Sequence, residues 1–275
     1  MTTVDAGSRG DRAVTLTGPT IHTSGTASVT LRRGAGPITF VVNGVAIPAL
    51  VENVVSTDRT TTLAAGGASV SLVEHLLAAL HMAGFHAGVR VEVDGPELPI
   101  LDGSAQPWLE AVACLGTPPP QPEALRLTQA LEVRVGESFA RAEPGPLTLS
   151  CSIDFDHPAI GAQTWEGGRH AFTDLAAART FGLMADAQVL RSRGLALGAV
   201  LEHAIVFADD GPMSPLRFAD EPVRHKALDA VGDLTLLGRP LDAAVRIVRG
   251  SHTLHVALVK ALSDAVSLPG TGARS

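Results

Sequence analysis

The sequence predicts an α+β protein of two domains with similar topology, each a β-sheet with helices on one face. Three observations carry this expectation. A proline-rich stretch, 116-GTPPPQPEAL-125, interrupts the chain. On each side of it, short alternating segments come first, and then a helix, a glycine, a strand and a second helix recur in that order. The 275 residues, 45% apolar and 18% charged, are enough to build two cores of modest size.

In the first half, 13-AVTLTG-18, 27-ASVTLRR-33 and 37-PITFVVN-43 alternate and read as strands. The spacing of Leu72, Leu76, Ala79 and Leu80 predicts a helix over 69–84. A strand at 89–95 follows, then a Gly/Pro-shaped loop whose Asp102-Gly103-Ser104 runs from a turn into an N-cap. A helix from Ser104 to Cys114 closes this half. Consecutive prolines cannot continue a helix or a central strand, so 118–124 reads as a stiff linker between domains 1–117 and 125–275. The second half shows strands at 129–136 and 147–155, a mixed segment over 171–208, a helix over 222–237, a strand at 243–250 and a last helix from His252 to about Asp264. Packed helix layer to helix layer, the two domains would leave a cleft between them.

Composition narrows the function classes. The two cysteines, Cys114 and Cys151, form no cluster, which argues against a disulfide framework or a thiolate metal site and fits a reducing compartment. The polar start, MTTVDAGSRGDRAV, lacks the apolar core of a signal peptide. No charge-free apolar run approaches the roughly 18 residues of a membrane span, so the expected location is cytoplasmic. A net charge of -7 without a basic run argues against general nucleic-acid binding but leaves room for a particular anionic ligand. The only lysines are Lys226 and Lys260, and Lys226 sits beside the most polar helix stripe in the chain.

That stripe lies in 222-PVRHKALDAVGDLTLLG-238. Opposite the apolar residues Ala227, Leu228, Val231 and Leu234, the side chains of His225, Asp229 and Asp233 stack one turn apart. A zinc-type ion commonly takes three protein ligands and keeps one position open. His225 and Asp229 could supply two, and His75, mid-helix in the matching helix of the other half, is a candidate third. The same His/Asp spacing also describes an ordinary surface pair worth roughly 0.2–0.5 kcal/mol, and spacing alone leaves both readings open. Glu74 points about 100° around the helix from His75 and could take a proton from water, or be an exposed helix glutamate. His252 could stabilise an oxyanion or protonate a leaving amine, or merely follow an N-cap at Ser251. His255, one turn on, shares its face.

Taken together, 18-GPTIHTSG-25, 73-VEHLLAAL-80, 93-VDGPELPILDGSAQPW-108, 153-IDFDHPAI-160, 178-ARTFGLM-184, 190-LRSRGLALG-198, 224-RHKALDAVGDL-234 and, more weakly, 250-GSHTLHVAL-258 resemble the UDP-3-O-acyl-N-acetylglucosamine deacetylase family. The resemblance covers nearly the whole chain. It implies a metal-dependent amidase of lipid A biosynthesis, with a metal at the junction of the two domains and a small insert in each. His75, His225 and Asp229 match its metal ligands, and Glu74 matches the general base that activates water. His252 matches the histidine that stabilises the oxyanion and protonates the departing amine, with Lys226 and Asp233 as flanking charges. Thr180 matches a hydroxyl that holds the oxyanion, Phe181 a substrate contact, and His22 a histidine near the UDP diphosphate. The segment 181–206 corresponds to the insert forming an acyl passage, and 38–60 to the other domain's insert. The implied cofactor is one Zn2+ per chain, or Fe2+ in the cell. The implied partner is a small nucleotide-sugar lipid precursor, with no nucleic acid and a monomeric state.

Five features depart from the pattern: Ser251 where a second glycine usually precedes the histidine, His255 where asparagine is common, a longer 84-GFHAG-88 turn, Arg59 at an apolar position near the acyl passage, and Ala199 at a glycine position. Two other readings therefore stand beside the deacetylase of lipid A synthesis. One is a paralogue acting on another N-acetylated sugar or small metabolite. The other is a non-catalytic binder of nucleotide sugar, against which the intact Glu74, His75, His225, Asp229 and His252 argue.

Overall fold

Apolar residues alternate along the strands, so each sheet has one face to bury. In the computed structural model, which describes residues 2–5, 13–23, 25–184 and 203–267, this produces an α+β fold with two large sheets. The first is ordered β1(Thr2–Asp5), β2(Ala13–Pro19), β3(Thr26–Pro37), β9(Ala87–Asp94), β4(Thr39–Val42), β5(Val45–Pro48). The second is ordered β11(Leu131–Val135), β12(Ser138–Pro144), β18(Leu241–Val248), β13(Thr148–Phe155), β14(Gly161–Gly168), with β10(Leu125–Arg126) pairing at the start of β18.

The expected similarity of topology is explicit in the strand order. In each sheet the last strand in sequence enters the middle, antiparallel to one neighbour (β3 or β12) and parallel to the other (β4 or β13). A parallel pair needs a long crossover, and each crossover contains a helix: α1(Glu74–Met82) before β9, and α3(Glu221–Leu234) before β18. A second helix follows each of these strands, α2(Gln106–Ala113) in the first half and α4(His252–Ser267) in the second.

The first helix of each half forms the middle of the molecule. Every residue of α1 except Met82 is buried, as a helix enclosed on all sides must be. At Gly232 of α3, a Cβ would collide with the backbone carbonyl of Glu74 in α1, so only glycine lets the two helices approach this closely. The helix layers thus face each other across the junction.

Several expected elements shift. The helix expected from 69 begins at Glu74, because β8(Ala68–Ser71) pairs with β7(Thr62–Ala65) and Leu72 turns the chain with a φ of 63°. The helix expected to reach 237 ends at Leu234 and continues as a 3-10 turn over Thr235–Leu237, closed by Gly238 at a φ of 70°. The insert expected over 38–60 is displaced: β4 and β5 belong to the large sheet, and the small sheet of this half is β6(Val54–Ser56), β7 and β8. The second half has a matching small sheet of β15(Phe181–Leu183), β16(Ile205–Ala208) and β17(Gly211–Pro212). Residues 185–202 of the expected acyl-passage insert, Ala199 among them, lie outside the described residues.

The proline-rich stretch is pinned to the body. Gln121 Oε1 accepts the backbone N–H groups of His86 and Ala87 at 2.7 and 2.9 Å, and the Leu115 carbonyl accepts Arg33 Nε at 3.0 Å. Cys114 and Cys151 are both free thiols. No helix among the described residues is long and apolar enough to cross a membrane.

At the C-terminal end of α1, the buried rings of His81 and His86 meet edge to face at 4.7 Å between centroids. His81 Nε2 and His86 Nδ1 have no hydrogen-bond partner among the described residues. Burial, and secondarily the Arg169 charge, lowers the His86 pKa from 6.5 to about 4. Burial and the neighbouring His86 hold His81 well below its usual range too. A histidine with a lowered folded-state pKa leaves the unfolded chain binding more protons, so stability falls as pH drops from about 6.5 to about 4. Urea unfolding across this window should show the fall, with His86 contributing on the order of 1–3 kcal/mol. In His86→Leu the slope against pH should flatten by up to one proton, and an unchanged slope would refute this origin.

Candidate metal centre and catalytic cleft

The first turn of α1 and the middle of α3 bring the polar residues together. Leu72, in its left-handed turn, starts α1 so that Glu74 and His75 occupy the first two helical positions. On α3, one-turn spacing stacks His225, Asp229 and Asp233, and Gly232 lets α1 press against this stack.

His75, His225 and Asp229 each offer one ligand atom, and these atoms lie within 4.8 Å of one another. His225 Nε2 is 3.3 Å and His75 Nε2 3.8 Å from Asp229 Oδ1, with the two imidazoles edge to face. His225 Nδ1 donates to the Ala178 carbonyl at 3.1 Å, which leaves the Nε2 lone pair pointing at the site. Burial lowers both histidines, His75 to about 3 with help from the His225 charge, so both are neutral at physiological pH. Burial raises the Asp229 pKa, but His225 and Lys226 more than offset it and hold the carboxyl well below its usual range. The His225 Nε2 lone pair and the Asp229 carboxylate thus converge with the neutral His75 imidazole, whose Nδ1 is buried without a partner among the described residues. Two imidazole nitrogens and one carboxylate within reach of each other are a donor set that fits a divalent ion.

Beside this triad, Glu74 and His252 face each other, with Glu74 Oε1 3.8 Å from His252 Nε2. Burial raises the Glu74 carboxyl to about 7, against the opposing His252 charge. Burial alone would lower His252, but the Asp233 and Glu74 carboxylates outweigh it and raise the imidazole to about 10. His252 Nδ1 donates to Asp233 Oδ2 at 2.8 Å. The pair is therefore set for proton traffic in opposite directions near neutrality.

Of the residues singled out from sequence, His22, Glu74, His75, Thr180, Phe181, His225, Lys226, Asp229 and His252 line one cleft of about 270 Å³, and Asp233 stands behind His252. Lys226 Nζ donates to Asp229 Oδ2 at 3.0 Å and lies 5.8 Å from the Phe181 ring centroid. Arg59, exposed and at a φ of 65°, lines the same cleft, whereas His255 is buried behind it.

Residues 11–264 match the family model of UDP-3-O-acyl N-acetylglycosamine deacetylase. The chain belongs to that family. Curated relatives named UDP-3-O-acyl-N-acetylglucosamine deacetylase include one from Thermosynechococcus vestitus, 48% identical over 225 residues (79% of this chain, 78% of the relative). Another, from Anaeromyxobacter dehalogenans, is 43% identical over 261 residues (90% and 84%). A third, from Brucella melitensis, is 39% identical over 266 residues (91% and 93%).

Several residues of this deacetylase-family cleft escaped the sequence reading. Thr60 Oγ1 donates to the Glu74 carboxylate at 2.8 Å, and Thr61 N–H donates to its other oxygen at 3.1 Å. Thr61 Oγ1 donates to Asp233 Oδ1 at 2.7 Å, so two adjacent threonines hold both carboxylates. Their signal was the run 60-TTT-62, three hydroxyls in a row next to Arg59. Fully buried Glu97 accepts the backbone N–H groups of Ile21, His22 and Thr23 at 2.9–3.0 Å, which fixes the turn carrying His22. Buried Glu221 accepts Arg179 N–H and Nε at 3.0 and 2.9 Å, tying the segment of Ala178, Thr180 and Phe181 to the start of α3. A second three-ligand group, Asp233, His252 and His255, has its atoms within 4.8 Å; its 2.8 Å contacts are two N–H donors on one carboxylate oxygen.

The contact at Gly232 sets how closely Glu74 and His75 approach Asp229 and Asp233. Gly232→Ala should push α3 off α1, lowering thermal stability by on the order of 1–3 kcal/mol and weakening zinc binding in a titration. Wild-type stability and zinc affinity in a folded Gly232→Ala would show that the close approach is not needed.

Proposed function

We propose that this chain hydrolyses the acetamide of UDP-3-O-(3-hydroxyacyl)-N-acetylglucosamine to acetate and a free amine, the committed step of lipid A biosynthesis, in the cytoplasm and as a monomer. The carrying observation is the Glu74–His252 pair, 3.8 Å apart, standing beside the convergent His75, His225 and Asp229 in one cleft. In this reading an N-terminal domain, 1–117, supplies Glu74 and His75. A C-terminal domain, 125–275, supplies Thr180, His225, Asp229 and His252, and 118–124 joins the two.

His75, His225 and Asp229 would hold one Zn2+, or Fe2+ in the cell. Bound there, the ion supplies Lewis acidity, polarising a carbonyl and lowering the pKa of water. Glu74, with its pKa raised to about 7, takes the proton from the attacking water. His252, held cationic by Asp233, faces the developing oxyanion together with the Thr180 hydroxyl and then gives its proton to the leaving amine. Lys226 fixes Asp229 and presents a compact cation to the anionic substrate. Phe181 would offer an apolar face to the substrate, and His22, lining the cleft on the turn clasped by Glu97, would meet the diphosphate.

One observation favours a second reading, deacetylation of another N-acetylated sugar. The exposed Arg59 guanidinium lines the cleft where an acyl chain would need an apolar wall. The acyl dependence of the rate separates the two. The zinc-reconstituted protein should release acetate from the 3-O-acylated UDP-sugar and from the non-acylated sugar far more slowly. Equal turnover of the two would overturn the lipid assignment in favour of the second reading. Glu74→Ala should reduce acetate release by on the order of 10²–10⁴.

A pH prediction follows from Asp233. A histidine with a raised pKa stays protonated until pH passes that value, so the acid form of His252 is lost only near pH 10. Asp233→Asn removes the charge that raises it. The fall of kcat on the basic side should then begin at lower pH, moving toward 6.5, the ordinary histidine value. A basic limb unmoved in Asp233→Asn would show that His252 is not the acid.

A further inference from the structure

Asp233 carries more hydrogen bonds than orienting one histidine requires. Its Oδ1 accepts the Thr61 hydroxyl at 2.7 Å, and its Oδ2 accepts both His252 Nδ1 and His255 Nδ1, each at 2.8 Å. A carboxylate can only accept, so both imidazoles carry a proton on Nδ1. The two rings are three residues apart at the start of α4 and therefore share a face, with centroids 6.1 Å apart at 83°.

Their other nitrogens meet different surroundings. His252 Nε2 faces Glu74 and the cleft. His255 is 1% exposed, and its Nε2 has no partner among the described residues. That nitrogen packs on Gly250, where a Cβ would stand 2.7 Å from it, so glycine leaves the space the ring occupies. A second N–H on this nitrogen would be buried without an acceptor, whereas the N–H on Nδ1 finds one in Asp233. One histidine thus works at the cleft while the other is sealed behind it, and both draw on one oxygen.

We propose that His255 is a positioning residue for His252: it shares Asp233 Oδ2, fixes the rotation of that carboxylate and limits how tightly it holds the His252 proton. An anionic oxygen that accepts two N–H donors offers each a weaker charge-assisted bond than it would offer one. The remaining charged or titratable groups facing His252 are Glu74 and His75 from α1 and His225 and Asp229 from α3. The strands against α4 present the apolar residues Leu131, Val133, Ala140 and Ala142 on their packed faces. Among the described residues, His255 is therefore the one group that competes with His252 for Asp233 Oδ2. The consequence for catalysis rests on the assignment of His252 as the acid of the proposed reaction.

The test combines imidazole NMR with pH–rate profiles on the zinc-loaded full chain. In the wild type, nitrogen–proton correlations should place a proton on Nδ1 of both His252 and His255. A His255 proton on Nε2 alone would overturn the proposal without any variant. His255→Leu removes the donor, and should raise the His252 titration midpoint and the basic limb of kcat together, by on the order of one pH unit, with KM unchanged. His255→Asn keeps an N–H one bond beyond Cγ, where Nδ1 stands, and should restore wild-type behaviour. A merely structural His255 would lower thermal stability in either variant and move neither titration. An unmoved His252 midpoint in folded His255→Leu overturns the proposal. A midpoint that moves while the rate profile does not would keep the positioning role and overturn His252 as the acid.

Discussion

The close approach of α1 and α3 at Gly232 is the constraint on which the rest of the structure depends. It places the first turn of one helix against the middle of another, so Glu74 and His75 stand beside Asp229 and Asp233 in a buried space. A side chain at Gly232 would separate the two helix layers by a carbon, and the distances among the converging ligand atoms would grow with it. The repeated topology serves this contact. Each half inserts its last strand between two earlier ones, and the helix in that crossover is delivered to the same side of its sheet. Two such layers, face to face, bring both crossover helices to the junction.

Burying so many titratable groups costs stability unless each finds a partner. The structure meets this requirement unevenly. Glu74 and Asp233 are held by Thr60, Thr61 and His252, and Glu97 and Glu221 by backbone N–H groups. The His75, His225 and Asp229 group is served less fully: His75 Nδ1 is buried without a partner among the described residues, and the three ligand atoms converge where a cation would fit. Both pKa values at the Glu74–His252 pair rise, for different reasons: burial desolvates the Glu74 carboxyl, whereas the Asp233 and Glu74 carboxylates outweigh burial at His252 and keep it charged.

Much of this was legible in the sequence because its signals are local. The one-turn stacking of His225, Asp229 and Asp233 is a property of helical spacing, and the VEHL and RHKALDAVGD motifs identify the family without any coordinates. The helix boundary at 69 was misplaced because SVSL fits helical and strand spacing equally, and pairing of β8 with β7 decided it. The insert of the first half was displaced for a similar reason: strand propensity says which residues extend but not which sheet they join.

The sequence by itself determined the fold class, the family, and the residue types able to bind a metal and move protons, because composition, periodicity and motif spacing are written along the chain. Tertiary structure alone decided which of them meet. Thr60 and Thr61 hold the two carboxylates, the Ala178 carbonyl sets the His225 tautomer, and His255 turns out to share an oxygen with His252. None of these contacts has a sequence period, since each joins elements that are distant along the chain or engages a backbone group that every residue possesses. Their specificity comes from packing two helix layers to contact distance, and only the folded chain supplies that.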